Sequence, residues 1–279
     1  MPKTLYITDL DGTLLTSGQY VSPKSCEIIN RLTEQGMIFS YATARSLITA
    51  KKVTAGLEVK TPVIVNNGVF ITDSASGEKL VKNTFSRSQA EDIFRTLSEF
   101  GIFPLVYSII DGEEKFSYIP EKNTRGVNGF LDTRQGDPRH RPLPNENGML
   151  DGEIFYFACM DEAGSMSEAH RELKKRYYCV YSNDIYSGDQ WLEILPKSAT
   201  KANAVLQLKE YCGCDRLVAF GDGINDIPMF KAADECYAVE NAAAKLKEIA
   251  GGIIGNNNGD SVAEFLEKDF LKSDIAVSY

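Results

Sequence analysis

The sequence predicts an α/β protein: a Rossmann-like core with a parallel sheet, carrying an inserted α+β block. Three observations support this. Short apolar runs alternate with helical stretches from the N-terminus, the alternation returns near residue 190, and a hairpin-rich stretch lies between them.

The elements follow in order. Leu5–Leu10 is an apolar run that flows into Asp11-Gly12-Thr13, as a buried strand ending in a loop would. Ser22-Pro23 supplies a cap and a first-turn proline for a helix reaching Gln35, and Gly36 stops it. Met37–Ala42 reads as a strand, Ser46–Ala55 as a helix closed by Gly56, and Pro62–Val65 as a third strand ending at Asn66-Asn67-Gly68. Val69–Thr72 and Leu80–Phe85 form a hairpin around a turn at Asp73–Glu78. Ser88–Phe100 reads as an amphipathic helix with Ile93, Leu97 and Phe100 on one side and Gly101 as its stop. Phe103–Ile110 and Lys115–Ile119 flank an Asp111-Gly112 turn. Glu121–Gly152 is polar, with a short helix near Val127–Leu131. Glu153–Met160, a helix over Ser165–Arg176 and Tyr177–Tyr181 complete the block. Gln190–Leu195 is read as the strand on which the parallel pattern resumes, followed by a helix over Ser198–Tyr211 and a strand at Leu217–Phe220. The resulting partition is a core of residues 1–83 and 190–279 with an insert of residues 84–189.

Composition excludes some functions. At 43% hydrophobic and 25% charged, the 279 residues suit a folded globular protein. A formal charge of -9 disfavours non-specific binding to nucleic acid or anionic membrane. The six cysteines are scattered; Cys212 and Cys214 lack further ligands for zinc and read as free thiols of a reducing cytoplasm. The opening MPKTLYITDLDG has no apolar signal-peptide region, and no stretch would span a bilayer, so a cytoplasmic location is expected.

Four features fall at the carboxyl ends of predicted strands or at a helix start, where open α/β sheets place ligands. Asp9 and Asp11 alternate across Leu10 and so share one side of the chain. Two such carboxylates repel unless a cation or proton lies between them, and a divalent metal resolves the conflict. Asp222 and Asp226 follow the second apolar run, beside Gly221, Gly223 and Asn225, and their oxygens suit a hard cation such as Mg²⁺. Thr43 follows its strand with a hydroxyl that can bond an anion. Lys201 stands in the first turn of a helix, where the macrodipole opposes a cation unless an anion faces it. Taken singly, an Asp-Gly turn, a threonine cap and a solvated lysine are the ordinary readings of these residues.

Together the four features resemble the haloacid dehalogenase-like (HAD) superfamily. DLDGT at Asp9–Thr13 is similar to its nucleophile motif, and Thr43, Lys201 and GDGIND at Gly221–Asp226 are similar to its other three, in order. The insert, Asn66-Asn67-Gly68 and GDGINDIPMF look like the Cof-type phosphatases of subclass IIB, which carry an α+β cap at this point. That family more often has Thr-Gly-Arg where this chain has Thr43-Ala44-Arg45. The resemblance implies a Mg²⁺-dependent phosphatase of small phosphate esters. Asp9 would attack phosphorus and Asp11 would serve as general acid and base. Asp9, the Asp11 carbonyl and Asp222 would hold the metal, with Asp226 and Asn225 supporting it. Thr43 and Lys201 would bind the phosphoryl group, with Asn67 lining the site. Sugar phosphates, pyridoxal phosphate and flavin mononucleotide are the implied substrates; oligomeric state is left open.

Rival readings are weaker. Only His140 and His170 could serve a histidine-based triad; both read as solvated, and no P-loop motif occurs. The aromatic runs Phe155-Tyr156-Phe157 and Tyr177-Tyr178 read as sheet packing. A phosphotransferase or mutase using Asp9, or a non-catalytic binding protein on the same fold, are the alternatives.

Overall fold

The computed structural model describes residues 3–161, 164, 166–183 and 189–275. In chain order these form β1 (Thr4–Thr8), α1 (Pro23–Glu34), β2 (Ile38–Tyr41), α2 (Leu47–Val53), β3 (Val63–Val65), β4 (Phe70–Thr72), β5 (Lys79–Lys82), α3 (Arg87–Glu99), β6 (Leu105–Ile110), β7 (Glu113–Tyr118), α4 (Arg125–Asp132), β8 (His140–Pro142), β9 (Glu153–Asp161), α5 (Ser167–Leu173), β10 (Tyr178–Asn183) and β11 (Gln190–Leu195). They continue with α6 (Lys201–Tyr211), β12 (Arg216–Gly221), α7 (Ile227–Ala232), β13 (Glu235–Ala238), α8 (Ala244–Lys247), β14 (Gly252–Ile253) and α9 (Ser261–Ile275). The chain divides into two units, Met1–Lys82 with Ser198–Tyr279, and Asn83–Lys197.

The first unit is built on a parallel sheet in the order β14-β13-β12-β1-β2. Its strands are buried and apolar, as Leu5, Ile7, Leu217, Val218 and Phe220 show at 0% exposure. Helix α1 starts where expected: the Ser22 hydroxyl accepts from Ser25 N–H at 3.0 Å, and Pro23 occupies the first turn. Such a cap is worth about 1 kcal/mol. The strand order reverses between β1 and β12, so their carboxyl ends form the crevice of an open α/β sheet. The third expected strand departs from this sheet. β3 pairs antiparallel with β4 and β4 with β5, and β3 meets the end of β2 through one parallel bridge, Ala42 to Ile64.

The second unit has a six-stranded sheet, β10-β11-β9-β6-β7-β8, antiparallel except for β7 with β8. Its central strand β9 is covered on both faces: Phe157 and Cys159 pack with α3 and α5 residues, Ala158 and Met160 with Val127 of α4. The aromatic runs pack as expected, Phe155 and Phe157 buried and Phe85 edge-on to Phe157 and Tyr177.

Several expectations are corrected here. Gln190–Leu195 belongs to the insert, where β11 lies antiparallel between β9 and β10. The second unit therefore runs from residue 83 to 197 instead of 84 to 189. An isolated six-residue apolar run carries no information about its partner strand, although the alternation of buried Leu192 and Ile194 with half-buried Trp191 and Glu193 is that of an antiparallel strand. Strand β8 falls in a segment read as loop, since Arg141 and Pro142 carry little strand signal. Phe100, expected on the buried side of its helix, is the C-cap of α3 and 40% exposed. His140 is half-buried, bonded to the Tyr118 hydroxyl at 3.1 Å and to the Arg134 carbonyl at 2.9 Å. His170 stacks on Tyr181. Residue 165, the expected start of a helix, lies outside the described residues.

Among the described residues no helix is long and apolar enough to cross a membrane. All six cysteines are free.

Candidate active site

The sheet register delivers the acidic residues together. Thr8 lies opposite Phe220, and the Asp9 N–H donates to the Phe220 carbonyl at 2.9 Å. Asp9 and Gly221-Asp222 thus leave two neighbouring strands side by side.

Lys201 and its partners form the buried centre. It is the first residue of α6, whose cap is Thr200, the hydroxyl accepting from Asn203 N–H at 3.1 Å. The Lys201 side chain is 2% exposed; its Nζ lies 2.5 Å from Asp9 Oδ1 and 2.7 Å from Asp226 Oδ1. Burial pulls its ammonium down, but the fields of Asp9 and Asp226 outweigh burial and hold it above its ordinary value. Two buried carboxylates thereby offset the macrodipole that opposes a lysine at this end of a helix. Lys197, its neighbour in sequence, is exposed.

Asp226 Oδ2 accepts from the N–H groups of Asp222 at 3.1 Å and Gly223 at 3.0 Å. This carboxylate therefore ties the ammonium to the loop after β12. Asp9, Asp222 and Asp226 each present an oxygen within 4.8 Å of the others. Three negative charges then face one ammonium. Burial, the largest cause, pushes Asp9 well above the usual carboxylate range; Asp226 and Asp222 add to this and Lys201 opposes it. Asp222 moves the same way, by burial and then by the Asp226 charge. A largely buried cluster of oxygen donors with excess negative charge fits a hard divalent cation. Asp226 has both oxygens hydrogen-bonded, whereas Oδ2 of Asp9 and of Asp222 carries no hydrogen bond among the described residues. Asp9 and Asp222 are therefore the better-placed ligands.

The turn after Asp9 depends on Gly12. Its φ is +76°, and a Cβ there would lie 2.3 Å from Asp222 Oδ2. Thr13 donates to Asp222 Oδ1 at 3.1 Å. Asn241 donates to the Gly12 carbonyl at 2.7 Å; its own Oδ1 accepts from Asn257 N–H at 3.1 Å, and Asn257 donates to the Leu15 carbonyl at 2.9 Å. Asn241 and Asn257 carry no local signal that would have marked them, because the Gly12 and Leu15 carbonyls they hold lie more than 200 residues away.

Thr43 is fully buried, and its Oγ1 accepts from the Arg45 N–H at 3.1 Å, which leaves the hydroxyl proton free to donate. Asn67 is half-buried in a left-handed turn whose N–H donates to the Thr43 carbonyl at 2.9 Å. The following Gly68, φ +95°, lies against the start of α6: a Cβ there would sit 2.4 Å from the Thr200 carbonyl oxygen. Asn225 is exposed and folds against Gly223. The Asp11 carboxylate stands outside the acidic trio, half exposed and paired with Arg45; the expected metal contact of Asp11 involved only its carbonyl.

Comparison with known proteins identifies the family. A family model described as haloacid dehalogenase-like hydrolase matches residues 6–266. The 5-amino-6-(5-phospho-D-ribitylamino)uracil phosphatase of Bacillus subtilis is 29% identical, the alignment covering 93% of this chain and 96% of the relative. The pyridoxal phosphate phosphatase of Escherichia coli is 27% identical, covering 95% and 98%. A solved structure from Thermotoga maritima has the same fold, with a TM-score of 0.75 at 24% identity over 96% of this chain and 97% of that one. With a match spanning nearly its whole length, the chain belongs to the haloacid dehalogenase-like hydrolase family.

Proposed function

We propose that the protein is a Mg²⁺-dependent phosphatase of small phosphorylated metabolites that works through an aspartyl phosphate on Asp9. The observation that carries this reading is the buried Lys201 ammonium shared by Asp9 and Asp226, beside Asp222, with more negative charge than the lysine neutralises. Asp9, Asp222 and the Asp11 carbonyl would hold the metal, with Asp226 in support; when bound, Mg²⁺ neutralises charge on the nucleophile and on the phosphoryl oxygens. Lys201 and the Thr43 hydroxyl donate to the phosphoryl group.

An Asp9 oxygen attacks phosphorus, the bond from phosphorus to the ester oxygen breaks, and Asp11 gives that oxygen its proton. Water then attacks the acyl phosphate and passes a proton to Asp11, releasing inorganic phosphate and restoring the Asp9 carboxylate. Asn67 and Asn225 are assigned to the site margin, Asn225 by its place in the loop that carries Asp222 and Asp226.

The substrates are small phosphate esters, either sugar phosphates or a cofactor phosphate such as pyridoxal phosphate or flavin mononucleotide. The names of the two relatives support this range. Residues 83–197 act as a cap that selects the organic group. The test is release of phosphate from p-nitrophenyl phosphate with and without Mg²⁺, followed by a panel of phosphorylated metabolites. Full activity in EDTA, or none on any ester with Mg²⁺, would overturn the reading.

A further inference from the structure

Asp11 stands on the turn before Gly12 with its side chain 50% exposed. A carboxylate so placed has several rotamers open to it. Arg45 removes that freedom. Its Nε lies 2.8 Å from Asp11 Oδ2 and its Nη2 2.5 Å from Oδ1, so one planar guanidinium holds both oxygens. Arg45 is itself anchored. Its N–H donates to Thr43 Oγ1 at 3.1 Å, its carbonyl accepts from Asn66 N–H at 2.9 Å, and Nη2 also reaches Gln19 Oε1 at 3.3 Å. The Arg45 side chain is only 21% exposed.

We propose that Arg45 is a positioning residue: it sets the direction of the Asp11 carboxylate relative to Thr43. This rests on the phosphatase reading above, in which Thr43 contacts the phosphoryl group and Asp11 serves the leaving oxygen. The same backbone segment then carries the phosphoryl contact and the group that orients the proton donor. A lysine reproduces the effect only in part, because a single ammonium attracts a carboxylate without fixing its plane.

The experiment compares wild type, Arg45→Ala and Arg45→Lys on p-nitrophenyl phosphate and on glycerol phosphate. The first has a good leaving group that needs little protonation; the second depends on the proton donor. The readout is kcat/KM, which covers steps through departure of the leaving group, together with inhibition by inorganic phosphate. General acid catalysis is worth roughly 10²–10⁴-fold, and loss of aim should remove at least about tenfold of it on glycerol phosphate. On p-nitrophenyl phosphate the loss should stay below about threefold, and phosphate inhibition should be unchanged within about twofold. Arg45→Lys should fall between wild type and Arg45→Ala, and carries the same comparison if the alanine variant does not fold. Equal losses on both esters, or weakened phosphate inhibition, would make Arg45 a substrate contact and overturn the assignment alone. Wild-type rates in both variants would do the same. A wild type inactive on both esters would overturn the phosphatase reading, and this assignment with it.

Discussion

Replacing Lys201 by methionine removes the ammonium while keeping most of the stem volume. In the wild type Nζ lies 2.5 Å from Asp9 Oδ1 and 2.7 Å from Asp226 Oδ1, and all three groups are buried. Removing one partner of a buried ion pair leaves an uncompensated charge and costs about 3–5 kcal/mol. Two carboxylates lose the same cation here, but proton uptake by one of them relieves the other, so the single-pair figure is the expected total. Against a typical stability of about 5–15 kcal/mol, this is a large fraction. Urea unfolding followed by circular dichroism in EDTA measures it. With a slope of about 1–3 kcal/mol per molar, the midpoint should fall by roughly 1–5 M. Mg²⁺ should restore part of the loss, since a ligand at 100 times its Kd adds about 2.7 kcal/mol. A metal-free variant within about 0.3 M of wild type would refute the argument that this lysine balances the buried carboxylates.

Further outcomes follow from the same geometry. Asp9→Asn should abolish turnover and leave the circular dichroism spectrum unchanged, because an amide cannot attack phosphorus; measurable phosphatase activity in that variant would exclude Asp9 as nucleophile. The metal-free wild type should lose stability relative to Asp9→Asn as pH rises from about 4 through the raised value of Asp9. The sign follows because the folded state binds the Asp9 proton more tightly than the unfolded chain does in that window. Urea midpoints across pH in EDTA check this, and saturating Mg²⁺ should flatten the difference. Gly12→Ala should cost about 1–2 kcal/mol for the left-handed backbone, plus the displacement of Asp222 that its Cβ demands. The Mg²⁺ concentration for half-activation should rise in that variant, and an unchanged value would mean that the turn does not position Asp222.

The parts of the site that could be read directly are those whose meaning is local. Asp9 stands just beyond an apolar strand and next to a glycine turn, and Asp222 and Asp226 stand beyond another. Thr43 follows a third strand, and Lys201 opens a helix. Each is marked by its neighbours in sequence, and an open α/β sheet brings strand ends to one edge whatever its loops contain. The partners of Lys201 were not local: Asp9 and Asp226 lie 192 and 25 positions away and meet its ammonium only in the folded chain.

The class of fold, the order of most helices and strands, and the acidic and basic residues at the sheet edge are legible in the sequence. The tertiary structure decided which strands pair. Gln190–Leu195 joined the antiparallel sheet of the insert, β3 left the parallel sheet, and the polar segment around His140 contributed a strand to β7. It also decided the partners of charged and amide side chains: Arg45 on Asp11, Asn241 on the Gly12 carbonyl, Asn257 on the Leu15 carbonyl. The physical reason is one of range. Hydrophobic period and turn chemistry act over a few residues and leave their mark in the local sequence. Strand pairing and side-chain hydrogen bonding act over a few ångströms between residues up to 263 positions apart, so they exist only once the chain has folded.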